Sequence, residues 1–186
     1  TFKKIPTKEG NELVSNTFVD IASQSHDAKD IIGSKANANM EATTMAAGGG
    51  RGYANLPDEV EVAKTYVLLR AATVSDGRTA PIAHRIYGGG NLSTVGDTHV
   101  DAYTGNVNMI FGGTHGVKTL TYEDQEPYNV QSTLIKTYNE LDYANMNIFG
   151  AGANSGSNVA TIYLYGGIMN DVHGGAYTEG YTPVTY

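Results

Sequence analysis

The sequence predicts an all-β fold, a parallel β-helix in which glycine-rich corners separate short strands. The first observation is a repeat, because residues 86–113 align without a gap on residues 148–175 and nine of the 28 aligned positions are identical. A fixed-spacing repeat is typical of solenoids, whose units bury their apolar faces only by stacking. The second is composition, since the 186 residues include 23 Gly and 13 Tyr but no Cys. That mixture favours short strands and tight turns.

The spacing within each copy gives the size of the repeating unit. A ring-bearing residue followed by glycine occurs at Tyr87 and again at Phe111, 24 positions later, and the same spacing separates Phe149 from His173. About 24 residues, at ~3.3 Å per strand residue, are enough for two or three short strands with their turns. This is the size of one coil of a parallel β-helix. A β-sandwich or a β-prism with glycine-rich turns is the alternative fold.

The whole chain, residues 1–186, is predicted to be one solenoid domain. Residues 1–30, of which the first 16 are polar, form a possible cap or assembly segment, and residues 114–131 form an insertion between copies. A more degraded third copy is predicted at residues 31–50, aligned on 148–167 with Gly49 over Gly166 and Gly50 over Gly167. Strands are predicted, in order, at residues 17–21, 65–70, 98–103, 132–137 and 160–165.

Alternating side chains indicate which strand face is buried. In residues 98–103, Val100 and Ala102 are predicted to point inward, whereas His99, Asp101 and Tyr103 point outward. The second copy agrees on the buried face. Its inward residues are Ile162 and Leu164, and its outward residues are Thr161, Tyr163 and Tyr165.

Charge and composition exclude several classes of function. The net charge is −7 and the twelve Lys and Arg residues are scattered, so we expect no nucleic-acid partner. The absence of Cys rules out disulfides and thiolate metal sites. No apolar stretch approaches ~18 residues, so no membrane insertion is expected. We also expect no cofactor.

One outward triplet has the chemistry of a metal site. Asp97, His99 and Asp101 alternate on a single strand, and imidazole and carboxylates are ordinary ligands of divalent cations. The repeat does not need them, because the second copy has Val159 and Thr161 at the first two of these positions. The prediction is therefore a solvated strand face without a metal, with this triplet as the candidate site.

The outward tyrosines are the candidate ligand-binding residues. Tyr103 and Tyr165 occupy equivalent positions of the two copies, so they are candidates for a ladder, and Tyr163 lies beside Tyr165. A tyrosine offers an apolar face and a polar tip, which suits sugars and protein partners. Packing between neighbouring strands is the alternative role.

No catalytic residue is predicted. Cleavage of an acidic polysaccharide would need clustered carboxylates with a basic residue. Asp97, Asp101, Arg85 and His84 are the residues that neighbouring strands would have to bring together, and nothing in their spacing singles them out.

A recurring sequence pattern covers residues 86–90, 98–100 and 107–113. It begins with a hydrophobic-aromatic-Gly-Gly-Gly corner, continues with a Thr-x-Val strand and ends with a second corner, Phe-Gly-Gly. It resembles the glycine-rich repeats of large adhesin-like bacterial surface proteins. The resemblance implies a right-handed parallel β-helix of the pectin-lyase-like kind. It also implies a protein that is secreted or on the cell surface of a bacterium.

An open solenoid leaves strand edges at both ends, and such edges favour pairing with another chain. The sequence therefore predicts an extracellular structural or adhesive module without catalysis, which self-assembles into a filament or forms part of a longer surface stalk. Its expected partners are further copies of itself, with surface glycans or host proteins as possible ligands. The alternative function is binding or cleavage of polysaccharide.

Overall fold

The computed structural model describes residues 8–9, 12–13, 16–23, 45–52, 61–71, 82–104, 106–118, 126–140 and 146–178. A short 3-10 helix, Glu126–Tyr128, precedes the ninth strand. The strands are β1 (Lys8–Glu9), β2 (Glu12–Leu13), β3 (Asn16–Ser23), β4 (Met45–Ala47), β5 (Glu61–Ala71), β6 (Ile82–Tyr87), β7 (Thr94–Thr104), β8 (Asn106–Phe111), β9 (Val130–Glu140), β10 (Asn147–Phe149), β11 (Ser157–Leu164) and β12 (Asp171–His173).

The fold is all-β and is built from two five-stranded parallel sheets, which confirms the predicted class. The first sheet has the order β11-β9-β7-β5-β3 and the second has the order β12-β10-β8-β6-β4. Consecutive strands from β3 to β12 alternate between the sheets, so the chain crosses from one sheet to the other after every strand. We call each consecutive pair a tier, from tier one (β3 and β4) to tier five (β11 and β12). Strands β1 and β2 form a separate antiparallel pair.

Apolar side chains fill the space between the sheets. From the first sheet, Val67, Val100 and Ile135 lie side by side in register and are fully buried. From the second sheet, Ile86, Ile110 and Ile148 do the same. Each such side chain contributes roughly 1.5–3 kcal/mol when fully buried. Ala102 is also buried, so the inward positions predicted for β7 face this core.

Buried threonines join the two sheets of one tier. The hydroxyls of Thr65 and Thr98 donate hydrogen bonds of 2.5 Å to the carbonyl oxygens of Gly88 and Gly112, which follow the partner strand of the same tier. Thr133 donates to Gly150 in the same way in tier four. These bonds satisfy carbonyl groups that would otherwise be buried without a partner.

A column of glycines lies at the corner after each second-sheet strand, at Gly48, Gly88, Gly112, Gly150 and Gly174. The backbone amide of each of the first four donates to a carbonyl of the next tier, as Gly88 does to Phe111 at 2.8 Å. A methyl group on Gly88 would lie 2.2 Å from the carbonyl oxygen of Gly112, and one on Gly112 would lie 2.3 Å from that of Gly150. Only glycine allows backbones to approach this closely.

The glycine column corrects the alignment predicted for residues 31–50. That alignment placed Gly49 over Gly166, whereas the structure places Gly48 in one column with Gly88 and Gly150. Common small residues gave identities at the wrong offset, because any glycine pair aligns with any other. Residues 31–44 lie outside the described residues, as do residues 119–125 of the insertion predicted at 114–131.

We expect Thr98→Val to lower the free energy of unfolding by about 1–3 kcal/mol, since it leaves a buried carbonyl without its donor while keeping the side-chain shape. Chemical denaturation measures this difference. The control is Thr161→Val on β11, which is half-buried at an outward position and should change stability by no more than about 0.5 kcal/mol. Equal losses in the two variants would contradict a role for the Thr98 hydrogen bond.

Candidate assembly surface

The predicted ligand-binding tyrosines lie on the outer face of the first sheet. Tyr103 and Tyr165 occupy the same row of the sheet but do not touch, because Tyr138 of β9 stands between them. The rings of Tyr103 and Tyr138 stack with centroids 4.0 Å apart and an interplanar angle of 2°. Tyr138 and Tyr165 follow at 5.5 Å, and Tyr163 lies 6.0 Å from Tyr165. We call Tyr103, Tyr138 and Tyr165 the tyrosine ladder.

Tyr138 is the residue that sequence reasoning missed. It stands one position beyond the strand predicted at 132–137, and β9 in fact continues to Glu140. The alternation of that strand contained the signal, because Thr133, Ile135 and Thr137 face inward and the next residue must therefore face outward.

The geometry of the tyrosine ladder limits what it can bind. Tyr103 and Tyr138 cover one ring face of each other, so those two faces are closed to a ligand. Tyr165 is 57 % exposed and directly follows β11, the last strand of its sheet. The ladder is therefore suited to joining successive tiers.

The candidate metal triplet divides into two separate groups. The His99 imidazole lies 2.8 Å from Oδ1 of Asp101, and the other carboxylate oxygen, Oδ2, accepts a hydrogen bond from the Tyr66 hydroxyl. Asp97 instead accepts from the Ser132 hydroxyl at 2.7 Å. Within the described residues, no group of three His, Cys, Asp or Glu side chains is arranged to hold a metal ion.

Asp101 was predicted to point outward, and it does lie on the outer face of its sheet, yet it is only 5 % exposed. Tyr66 and His99 cover it, with their rings edge to face at 4.7 Å. Burial of Tyr66, together with its hydrogen bond to Asp101, raises the pKa of the Tyr66 hydroxyl well above its usual range. The carboxylate is thus satisfied by side chains of its own sheet.

The residues of the alternative catalytic site lie in different sheets. Asp97 and Asp101 are on β7 of the first sheet, whereas His84 and Arg85 are on β6 of the second sheet. Strands that follow each other in the chain are not neighbours in a sheet here. The idea that β6 and β7 would bring these groups together is therefore wrong.

A second ladder of rings runs along the second sheet. Tyr87, Phe111, Phe149 and His173 stack in sequence, with centroids 4.6, 5.1 and 5.0 Å apart. Tyr177 packs against Phe149 at 5.2 Å and is half-buried. His173 ends this ladder on β12, just as Tyr165 ends the tyrosine ladder.

Both ladders end at the same place, the outer edges of β11 and β12, which we call the fifth-tier edge. Leu164 is half exposed here, although it occupies the inward row in which Leu69 and Ala102 are fully buried. No described strand pairs with this side of β11 or β12. Of the aliphatic side chains exposed in tier five, Leu164 (50 %) and Val172 (39 %) lie in inward rows, whereas Val159 (56 %) points outward and Ile168 (54 %) lies in the connection between the two strands.

The tyrosine ladder predicts a pH dependence of stability. A hydrogen bond with Tyr103 raises the pKa of Tyr138 from 10.0 to about 12. Because the folded pKa is the higher one, this contribution is fully present below pH 10 and is lost as pH rises towards about 12. We expect the free energy of unfolding, measured by urea denaturation, to fall over that interval. The fall should be shallower in Tyr138→Phe and Tyr103→Phe, and an unchanged slope in both would contradict the coupling.

No protein-family model, curated protein or solved structure matches this chain. The described part of the chain also contains no helix that is long and apolar enough to cross a membrane. A function for this protein therefore rests on its own geometry.

Proposed function

We propose that this protein is an extracellular structural module, a right-handed parallel β-helix that self-assembles through its end into a filament or stalk. The β-helical path is supported by the strict alternation of strands between two parallel sheets. It is further supported by a third line of contact, in which isolated parallel bridges join Arg51, Asn91, His115, Ala153 and Tyr177 from tier to tier. Three lines of parallel pairing around one core are what a three-sided solenoid requires.

The observation that carries the assembly proposal is the fifth-tier edge. Its strands have one side unpaired among the described strands, and it exposes Leu164 and Val172, whose row neighbours Thr137 and Ile148 in tier four are buried. Exposed strand edges readily accept another strand, and natural proteins usually blunt them with charge or cover them. On β11, the residues from Val159 to Leu164 carry no charge at all. Such an edge favours association.

The surface chemistry favours a structural role over catalysis or sugar binding. The buried carboxylate of Asp101 is already bonded to Tyr66 and His99. In the tyrosine ladder, Tyr103 and Tyr138 each use one ring face to stack on the other, which leaves those faces to the protein's own packing. Adhesion to surface glycans or host proteins, and the bacterial cell-surface location, rest on the resemblance to adhesin-like repeats.

The proposal is tested by placing a charge on the fifth-tier edge. Leu164→Glu should weaken self-association by about 3 kcal/mol or more, because the carboxylate would be buried without a partner when the edge is covered. Sedimentation velocity measures the association, and negative-stain electron microscopy shows whether filaments or stalks form.

The matched control is Gln131→Glu, which adds the same charge on β9, within the sheet. Gln131 accepts a hydrogen bond from Asn158, and a glutamate keeps that acceptor. We expect this variant to assemble like the native protein. A native protein that stays monomeric at all concentrations, or a Leu164→Glu variant that assembles normally, would refute assembly through this edge.

A further inference from the structure

No contact within the described structure explains why residue 174 is a glycine. At Gly88, Gly112 and Gly150 a methyl group would lie within 2.4 Å of the carbonyl oxygen of the next tier. At Gly174 a methyl group would meet nothing within 4 Å. Backbone conformation does not demand it either, because Gly167 is the only described glycine with a positive φ. Glycine carries an entropic cost in regular structure, and at this position of every preceding tier the carbonyl oxygen of the tier stacked on it requires a glycine.

We infer that a backbone carbonyl of another tier lies against Gly174, and that this tier belongs to a second copy of the chain stacked head to tail. The inference rests on the proposed function and deepens it by naming the partner and its register. Tier five of one copy would then meet tier one of the next. Gly48 of the second copy would then lie above Gly174. Within one copy, each glycine of the column lies above the glycine of the preceding tier in the same way.

The two ends of the protein match in strand length and direction. Strand β3 has eight residues, as has β11, and β4 has three, as has β12. Both β3 and β11 are end strands of one parallel sheet, so stacking β3 of a second copy on β11 continues the same order without reversing a strand. The same holds for β4 and β12.

The column geometry has the correct polarity for this arrangement. A methyl group on Gly48 would lie 2.3 Å from the carbonyl oxygen of Gly88, so each carbonyl of the column faces the glycine of the preceding tier. The Gly48 carbonyl, which accepts the Thr17 hydroxyl at 2.5 Å, has no described tier in front of it. It is the group that would face Gly174.

The apolar rows also continue across the junction. Within the protein, Val19 lies in the row that ends at Ile162, and Ile21 lies in the row that ends at Leu164. Stacking in register would place Val19 of the second copy on Ile162, and it would place Ile21, which is already buried within its own copy, on Leu164. Val19 and Ile162 are each only half-buried, while their row neighbour Val100 is fully buried.

A head-to-tail contact joins two different surfaces, so it leaves one free end of each kind and assembly continues beyond a dimer. We therefore test the junction with Gly174→Ala, whose methyl group the isolated chain accommodates. In the assembly it would meet the carbonyl of the second copy, and we expect the dissociation constant to rise about tenfold or more. Thermal denaturation of the dilute protein should be unchanged.

Gly175→Ala is the matched control. It also meets nothing within 4 Å, and the equivalent position of tier four is already an alanine, Ala151, with tier five stacked on it. We expect this variant to assemble like the native protein in the same sedimentation experiment, run over a range of concentrations.

The outcomes separate this inference from the proposed function. The head-to-tail junction is supported if the native protein assembles beyond a dimer, if Gly174→Ala loses this assembly, and if Gly175→Ala keeps it. Normal assembly of Gly174→Ala, equal loss in both variants, or growth that stops at a dimer would overturn the junction while leaving self-association standing. A native protein that is monomeric throughout would overturn both.

Discussion

The close approach of backbones at the glycine column is the constraint on which the rest of the structure depends. Tiers stack directly on one another only where the corner of one tier admits the carbonyl oxygen of the next, and a methyl group at Gly88 or Gly112 would prevent that approach. Once the corners are in register, the strand positions fall beside their equivalents in the next tier, apart from a register shift between β7 and β9 after Ala102. The buried rows, the threonine bonds and both ring ladders all follow from that register.

The alternation of a strand and the composition of a corner are local signals, and these were predictable from the sequence. Val100 and Ala102 were assigned to the core because period-two alternation needs no knowledge of the neighbouring strand. The tyrosine ladder was only half predictable. Tyr103 and Tyr165 are equivalent in the repeat, but the tier between them is absent from the repeat alignment, so Tyr138 could be found only through strand pairing.

Contacts between tiers were even harder to predict from the sequence, because connections of different length separate equivalent positions. Phe111 and Phe149 stack in neighbouring tiers although 38 positions separate them, against 24 between Tyr87 and Phe111. A repeat search at one offset cannot find both spacings. The same irregularity led the alignment of residues 31–50 to the wrong glycine pair, and it hid the fact that β6 and β7 lie in different sheets.

The fifth tier differs from the others in a way that bears on its edge. Tiers one to four each carry a threonine, from Thr17 to Thr133, that binds the corner carbonyl of its own tier. In tier five the equivalent residue is Ala160, which has no hydroxyl. This tier is therefore held to the protein mainly through β9 and β10, on one side only. A tier that lacks its internal hydrogen bond and exposes its apolar row gains more from a neighbour than any other, because stacking would supply the contacts that the four tiers below already have.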